Sequence, residues 1–157
     1  MYSMILVAVD GSPAAQSAAR HGVVLARACG ASVLALHVAP PHVPSYFADA
    51  PPPPAASREV WEAGLRAIAK RHFASVRAAV REQGVALATE VAFDDQPADA
   101  ICRVAASRGC DLIVMGSPAV EEGAIPDLRL VIGRVLARSA TPVLVHREAA
   151  SAPGQIG

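Results

Sequence analysis

Two short stretches of this sequence carry groups that could do chemistry. The first is Asp10-Gly11-Ser12-Pro13, directly after an apolar run. The second opens at Met115-Gly116-Ser117 and goes on to hold Gly123, Gly133, Arg134 and the acidic pair Glu121-Glu122. Glycines after a strand let the backbone approach a phosphate closely, often at positive φ. Helical residues following Gly133 would add N–H groups and the positive end of a helix dipole, both of which favour an anion. Arg134 could give a phosphate oxygen a charge-assisted hydrogen bond. Equally, its bulk could fill the phosphate space and pair with Glu121 or Glu122. Two carboxylates near a triphosphate repel it unless they face away or hold a metal. Asp10 also has two readings: a ligand group, or an acceptor for the backbone donors of its own turn.

No assembled catalytic set accompanies these groups. The sequence has no G-x-S-x-G elbow, no Walker A lysine motif and no H-E-x-x-H. His21, His37, His42, His72 and His146 lack metal-ligand spacing, and His37 and His146, in or at the ends of strands, read as satisfied structural histidines. Asp94-Asp95 reads as a solvated loop pair. Cys29, Cys102 and Cys110 are odd in number and read as reduced, small core residues of a cytosolic protein rather than a redox pair. Nothing brings together a nucleophile, a base and an orienter.

Regular elements must position the two stretches. Ile5 to Val9 is a continuous apolar run, as expected of a strand buried on both faces of a parallel sheet. Ser12 is a helix N-cap candidate, Pro13 suits the first turn, and Gly30 stops the helix after Cys29. Ser32 to Val38 is a second strand. The proline-rich segment at 40–57 reads as an extended surface loop. Ser57 then caps a long helix, Arg58 to Gln83, with Trp61, Leu65, Ile68, Phe73, Val76 and Val80 as its buried stripe. Arg66, Lys70, Arg71, Arg77 and Arg81 form its solvated side. A third strand follows at about Ala86 to Ala92, a helix at Pro97 to Ser107, a fourth strand at Asp111 to Met115, a helix at about Asp127 to Ser139, and a last strand at Val143 to His146. The alternation predicts an α/β three-layer sandwich with a parallel sheet and right-handed crossovers. Ligands in such folds sit beyond the carboxyl ends of the strands, so Asp10, Val38 and the Gly116 loop should share one crevice.

The whole chain constrains partners and compartment. It has 157 residues, a natural size for one domain, and 53% are hydrophobic. Formal net charge is zero, which gives no electrostatic reason to expect nucleic acid or an anionic membrane. The N-terminal apolar run is too short for a membrane span and no basic region precedes it, so neither a signal peptide nor a bilayer crossing is expected.

"ILVAVDGSPAA", "VLALHV", "DLIVMGSPA" and "VIGRVLARSATPVLVHR" together resemble the universal stress protein family over residues 1–147. The resemblance leaves out the proline-rich loop and the tail 148–157, which is expected to be disordered. It implies a five-stranded parallel sheet of order 3-2-1-4-5, of the adenine nucleotide alpha hydrolase-like type. It also implies a cytoplasmic, dimeric stress-response protein, with slow ATP hydrolysis at most. Many members bind ATP through a glycine, two residues, a glycine, nine residues, then a glycine followed by serine or threonine. Gly116 matches the first glycine, and Gly123 and Gly133 match the others if four residues are inserted. Ala119 stands where the uninserted pattern has its second glycine, and Arg134 replaces the hydroxyl. The implied ligand is ATP with magnesium. Asp10 matches an aspartate that contacts ribose or a phosphate-bound metal, and Ala8 and Val38 match positions flanking adenine. Met115 and Val135 complete the implied site. The insertion, the missing hydroxyl and the acidic pair work against a triphosphate and the arginine works for it, so weak or absent ATP binding is expected. The alternative is a nucleotide-independent dimeric interaction protein of the same fold. In either case the last strand, Val143-Leu144-Val145, is an apolar sheet edge and the expected antiparallel dimer seam.

Overall fold

The computed structural model of the chain describes residues 1–41, 58–119 and 126–149. Its elements, in chain order, are β1 Met4–Ala8, α1 Pro13–Cys29, β2 Ser32–Ala39, α2 Arg58–His72, α3 Ala74–Gln83, β3 Leu87–Phe93, α4 Pro97–Ser107, β4 Leu112–Ser117, α5 Pro126–Arg138 and β5 Val143–Arg147. The five strands form one parallel sheet, as the alternation of elements predicts, of order β3-β2-β1-β4-β5, as the family resemblance implies. Asp111 ties the start of β1 to that of β4. Its carboxylate accepts the Ser3 and Met4 N–H groups at 2.8 and 3.2 Å, while its own N–H donates to the Met4 carbonyl.

Alternate strand residues face opposite layers, which is why the strands are apolar throughout. Ile5, Val7, Val33, Ala35, Leu112 and Val114 face α1 and α3. Leu6, Leu34, Leu36, Ile113 and Met115 face α4 and α5. Helix α1 lies close to the sheet because its inner face is small: Ala14, Ala15, Ala18, Ala19, Gly22 and Ala26 are all buried. Ser12 caps it, accepting the Ala15 N–H at 3.1 Å, and Gly30 ends it in the left-handed conformation at φ 68°.

Three expectations are corrected. The fourth strand does not end at Met115 but runs through Ser117, because Gly116 and Ser117 continue the ladder against His146 and Arg147 of β5. The long helix is two helices that meet at Phe73. Its backbone stays right-handed there, its N–H reaches the Ala69 carbonyl, and its own carbonyl accepts from Arg77. Of the expected stripe, Phe73, Val76 and Val80 are buried, whereas Trp61 and Ile68 lie on the exposed side of α2. Ala69 takes the core position instead. The proline-rich loop from 42 onward, the Ser57 cap and tail residues 150–157 lie outside the described residues.

Gly116 is set by contact. A Cβ built on it would lie 2.3 Å from the Ala14 carbonyl oxygen and 2.8 Å from the Ala15 nitrogen, both backbone atoms of the first turn of α1. Neither can yield without moving the helix. Gly116→Ala is therefore expected to cost about 2–3 kcal/mol of stability, read as a lowered midpoint in urea unfolding with an unchanged slope.

Candidate functional site

The carboxyl ends of β1, β2 and β4 converge on a cavity of about 190 Å³. Ala8, Leu36 and Val38 form its floor, and Met115 and Gly116 its side. Pro97 and Ile101 of α4 and Val131 of α5 cover it, while Val9, Asp10 and Ala15 close the end beside α1. The chain departs from β1 toward α1 on one face and enters β4 from α4 on the other, so the cavity sits at the topological switch point of the sheet. Its volume arises where small residues replace large ones. Leu6 and Leu34 fill the α4 and α5 face deeper in the sheet, whereas the smaller Ala8 and Val38 stand at its end. A second hollow, about 310 Å³, lies at the opposite end of the sheet beside Gly30 and Gly84. It is more open, and none of its lining residues is acidic.

Asp10 is placed by the residue before it. The Val9 N–H donates to the Leu36 carbonyl at 2.9 Å, and the Val9 carbonyl lies 2.8 Å from His37 Nδ1. Asp10 itself is exposed at the cavity mouth, and its Oδ1 accepts the Ser12 N–H at 2.8 Å. Its turn role is therefore realised, and its second oxygen remains directed by a fixed turn rather than by a flexible loop.

Behind this turn, on the α1 side of the sheet, His72 at the end of α2 meets His37 edge to face, with ring centroids 4.8 Å apart and Nδ1 atoms 3.5 Å apart. His72 also covers Gly11. A Cβ there would come within 2.6 Å of the ring, and φ of 82° already favours glycine. A second pair joins α1 to the sheet edge: His21 stacks on His146 at 4.9 Å, and His146 Nε2 lies 3.0 Å from Ser17 Oγ. The strand histidines are thus partnered structural groups, as expected. Among the described residues there is no cluster of three or more His, Cys, Asp or Glu side chains that could hold a metal.

The glycine loop differs from expectation. Glu121, Glu122 and Gly123 lie outside the described residues. Gly133 does not open a helix, since α5 begins at Pro126 and Gly133 lies about two turns inside it. The N–H groups that lack intrahelical acceptors belong to the first turn, from Pro126. Counting the pattern from Gly116 without an insertion puts its later positions at Ala119, Arg129 and Leu130, the last two close to that first turn. Neither of the last two is glycine, serine or threonine. Val135 is wholly buried in the core beneath α5, with Leu6 and Ile113 in the same cluster. Arg134 is exposed and donates from Nη1 to Gln96 Oε1 at 3.3 Å.

The structure therefore brings Ala8, Asp10, Val38, Met115 and Gly116 to one cavity. Gly133, Arg134 and Val135 stand along α5 beside it. Sequence reasoning did not single out Leu36, Pro97, Ile101, Val131 or Gln96. The first four carry only an apolar signal, indistinguishable from core. Asp94 is also more engaged than a solvated loop residue. It accepts the Gln96 N–H at 2.8 Å and pairs with Arg103 at 3.0 Å, and the backbone bond first and the guanidinium second hold its carboxyl below the usual range. Burial raises the Cys102 and Cys110 thiols, which disfavours thiolate chemistry.

A parallel sheet of this order, with a crevice at the strand ends, defines the adenine nucleotide alpha hydrolase-like class of fold. The model described as the universal stress protein family matches residues 1–147, and the chain belongs to that family. It is 33% identical over 149 residues, 94% of this chain and all of the other, to a universal stress protein of Thermus aquaticus encoded beside a QAH/OAS sulfhydrylase. Its fold is similar to that of a universal stress protein family member from Burkholderia pseudomallei, with a TM-score of 0.70 at 25% identity over 92% of this chain and 96% of the other. It is also similar to the universal stress protein of Archaeoglobus fulgidus solved in complex with dAMP, with a TM-score of 0.64 at 21% identity over 92% and 97%. No helix among the described residues is long and apolar enough to cross a membrane.

The histidine arrangement carries a pH dependence. Burial holds the His72 imidazole below its ordinary 6.5; the facing His37 and Arg71 act in the same direction, and Asp10 opposes them. The unfolded chain then takes up this proton at a higher pH than the folded protein, so stability is full above about pH 6.5 and falls as pH drops below it. The thermal midpoint should be level between about pH 8 and pH 7 and decline toward about pH 5. In His72→Gln that decline should be shallower.

Proposed function

We propose that the chain is a cytoplasmic nucleotide-binding regulator that holds an adenine nucleotide in the cavity at the strand ends. The observation that carries this reading is convergence. Ala8, Asp10, Val38, Met115 and Gly116, drawn from strand ends far apart in the chain, line one largely apolar cavity at the switch point. An apolar slot with one carboxylate at its mouth suits a flat heteroaromatic base with a hydroxyl-bearing sugar. Val38 and Ala8 would flank the base, and Asp10 would accept from the ribose. The dAMP complex of the Archaeoglobus relative supports the assignment by analogy of fold.

Binding rather than turnover is the function proposed. Among the described lining residues Asp10 is the single ionisable side chain, and a nucleophile and base are both needed for covalent chemistry. Magnesium requires about six oxygen ligands and usually takes one or two carboxylates together with phosphates. Asp10 could supply one oxygen and the nucleotide the rest, so a magnesium would come with the ligand.

Calorimetric titration with AMP, cyclic AMP and Mg-ATP tests the reading. Saturable binding of at least one is expected. Ala8→Leu, which adds bulk to the cavity floor, should abolish it while the thermal midpoint moves little. A wild-type protein that binds none of the three would leave the nucleotide-independent interaction protein as the reading.

The same proposal includes a homodimer through Val143, Leu144 and Val145. Among the described residues strand β5 pairs only with β4, and Val145 is exposed along it. An apolar edge of this kind favours pairing with a second copy about a two-fold axis. Light scattering should give twice the monomer mass at micromolar concentration, and Val145→Asp should return the monomer.

A further inference from the structure

We propose that Gln96 and Arg134 form the phosphate end of the cavity, so that its ligand is a nucleoside carrying a single phosphate. The inference rests on the nucleotide reading above and adds to it which side chains meet the phosphate and how many phosphates are read.

The geometry begins with α5. Val131, Arg134 and Arg138 are spaced three and four apart and so share one face of the helix. Val131 lines the cavity, Arg134 bonds to Gln96 just before α4 and Arg138 to Asp99 of α4, so this face looks toward α4 and the cavity mouth. Side chains on a helix lean toward its N-terminus. The Arg134 side chain is thereby carried back toward the turn that holds Val131. Its Nη1 is held there by Gln96 Oε1, and Gln96 directly precedes Pro97, another lining residue.

Charge separates Arg134 from its neighbours. Arg103 is paired with Asp94 and Arg138 with Asp99. Arg134 meets a neutral amide, and among the described residues it pairs with no carboxylate. A guanidinium has five N–H donors in a planar fork that matches phosphate oxygens, and the bond to Gln96 uses one of them. The side chain is thus oriented at the mouth while its charge remains unneutralised by those residues.

Size and polarity give the ligand its direction. A cavity of about 190 Å³ is smaller than the roughly 300 Å³ at which sites for whole ligands begin. It holds the base and leaves sugar and phosphate at the mouth. Asp10 stands on the α1 side of that mouth, where it repels phosphate and accepts from a hydroxyl. Arg134 stands on the side of α4 and α5. The sugar is therefore drawn toward Asp10 and the phosphate toward Arg134. Beyond the first phosphate the described side chains offer little. Ala119 and Leu130 have no donor side chain, and Arg129 lies on the other side of α5, about 200° around the helix from Val131.

Titrations of the full chain with adenosine, AMP and Mg-ATP, repeated on Arg134→Gln, test this. Wild-type protein should bind AMP roughly tenfold or more tighter than adenosine, with Mg-ATP no tighter than AMP. Arg134→Gln should bring AMP to the level of adenosine and leave adenosine affinity and thermal midpoint unchanged, because the side chain is exposed. Gln96→Ala should weaken AMP alone, and by less. An AMP preference that survives Arg134→Gln overturns the proposal. So does a rise in AMP affinity on that substitution, which would mean that the guanidinium obstructs the site or is held by Glu121 or Glu122. Mg-ATP binding well above AMP overturns the single-phosphate assignment. Adenosine binding without preference for AMP sinks this inference alone, whereas failure of all three ligands together with cyclic AMP removes the nucleotide reading with it.

Discussion

The first turn of α1 rests directly on the end of β4, and the remaining geometry depends on that backbone contact. The Ala14 carbonyl and the Ala15 nitrogen occupy the space that a side chain at position 116 would need. Only with glycine there can α1 start immediately after Ser12 and still lie flat on β1 and β4. The same approach fixes Asp10, because just two residues, Gly11 and Ser12, separate it from the first residue of α1. Gly116 is thus first a packing residue and only then a lining residue of the cavity. A glycine at the end of a strand does not by itself report a phosphate.

The two faces of the sheet are finished differently. On the α1 and α3 face the strand ends are closed by aromatic nitrogen chemistry. His37 lies against the Val9 carbonyl and His72, and His146 lies against Ser17 and His21. These pairs fill space that an aliphatic side chain could fill, but they also give hydrogen-bond partners to groups at the strand ends, where the ladder stops. On the α4 and α5 face the strand ends are left small, and a cavity remains. The asymmetry puts the polar histidine packing on one side of Asp10 and the apolar slot on the other.

Charge on the α4 and α5 side is ordered rather than scattered. Asp94 and Asp99 each take an arginine, and Asp94 also holds the N–H of Gln96 at the start of α4. Exposed pairs of this kind contribute little stability, typically below about 1 kcal/mol. Their consequence is positional. The Asp99–Arg138 pair holds α4 beside α5, and Asp94 braces the start of α4 through Gln96 and Arg103.

The order and type of elements were legible because parallel strands buried on both faces read as unbroken apolar runs, and because Ser12, Gly30, Pro97 and Gly84 mark helix ends with local chemistry. The placement of Asp10, Val38 and the Gly116 loop at one crevice followed from the strand-end rule for such sheets, and that of Ala8 from the family resemblance. Other features lay beyond sequence, each for a physical reason. The extension of β4 through Gly116 and Ser117 depends on its pairing with β5, which local propensity does not encode. Trp61 and Ile68 fit a helical stripe by spacing, yet burial depends on whether a neighbour covers the turn, and in α2 the core contact begins only at Ala69. The glycine count made Gly133 look like a phosphate glycine, but a residue two turns inside a helix has no unpaired N–H to offer. Sequence alone determined the order and type of the elements through periodicity and turn residues, and the family, with the strand order it implies, through the resemblance of its motifs. Only the tertiary structure decided that Gly116 answers to Ala14, that Arg134 turns to Gln96, and that Leu36, Ile101 and Val131 line a cavity, because each is a contact between residues distant in the chain.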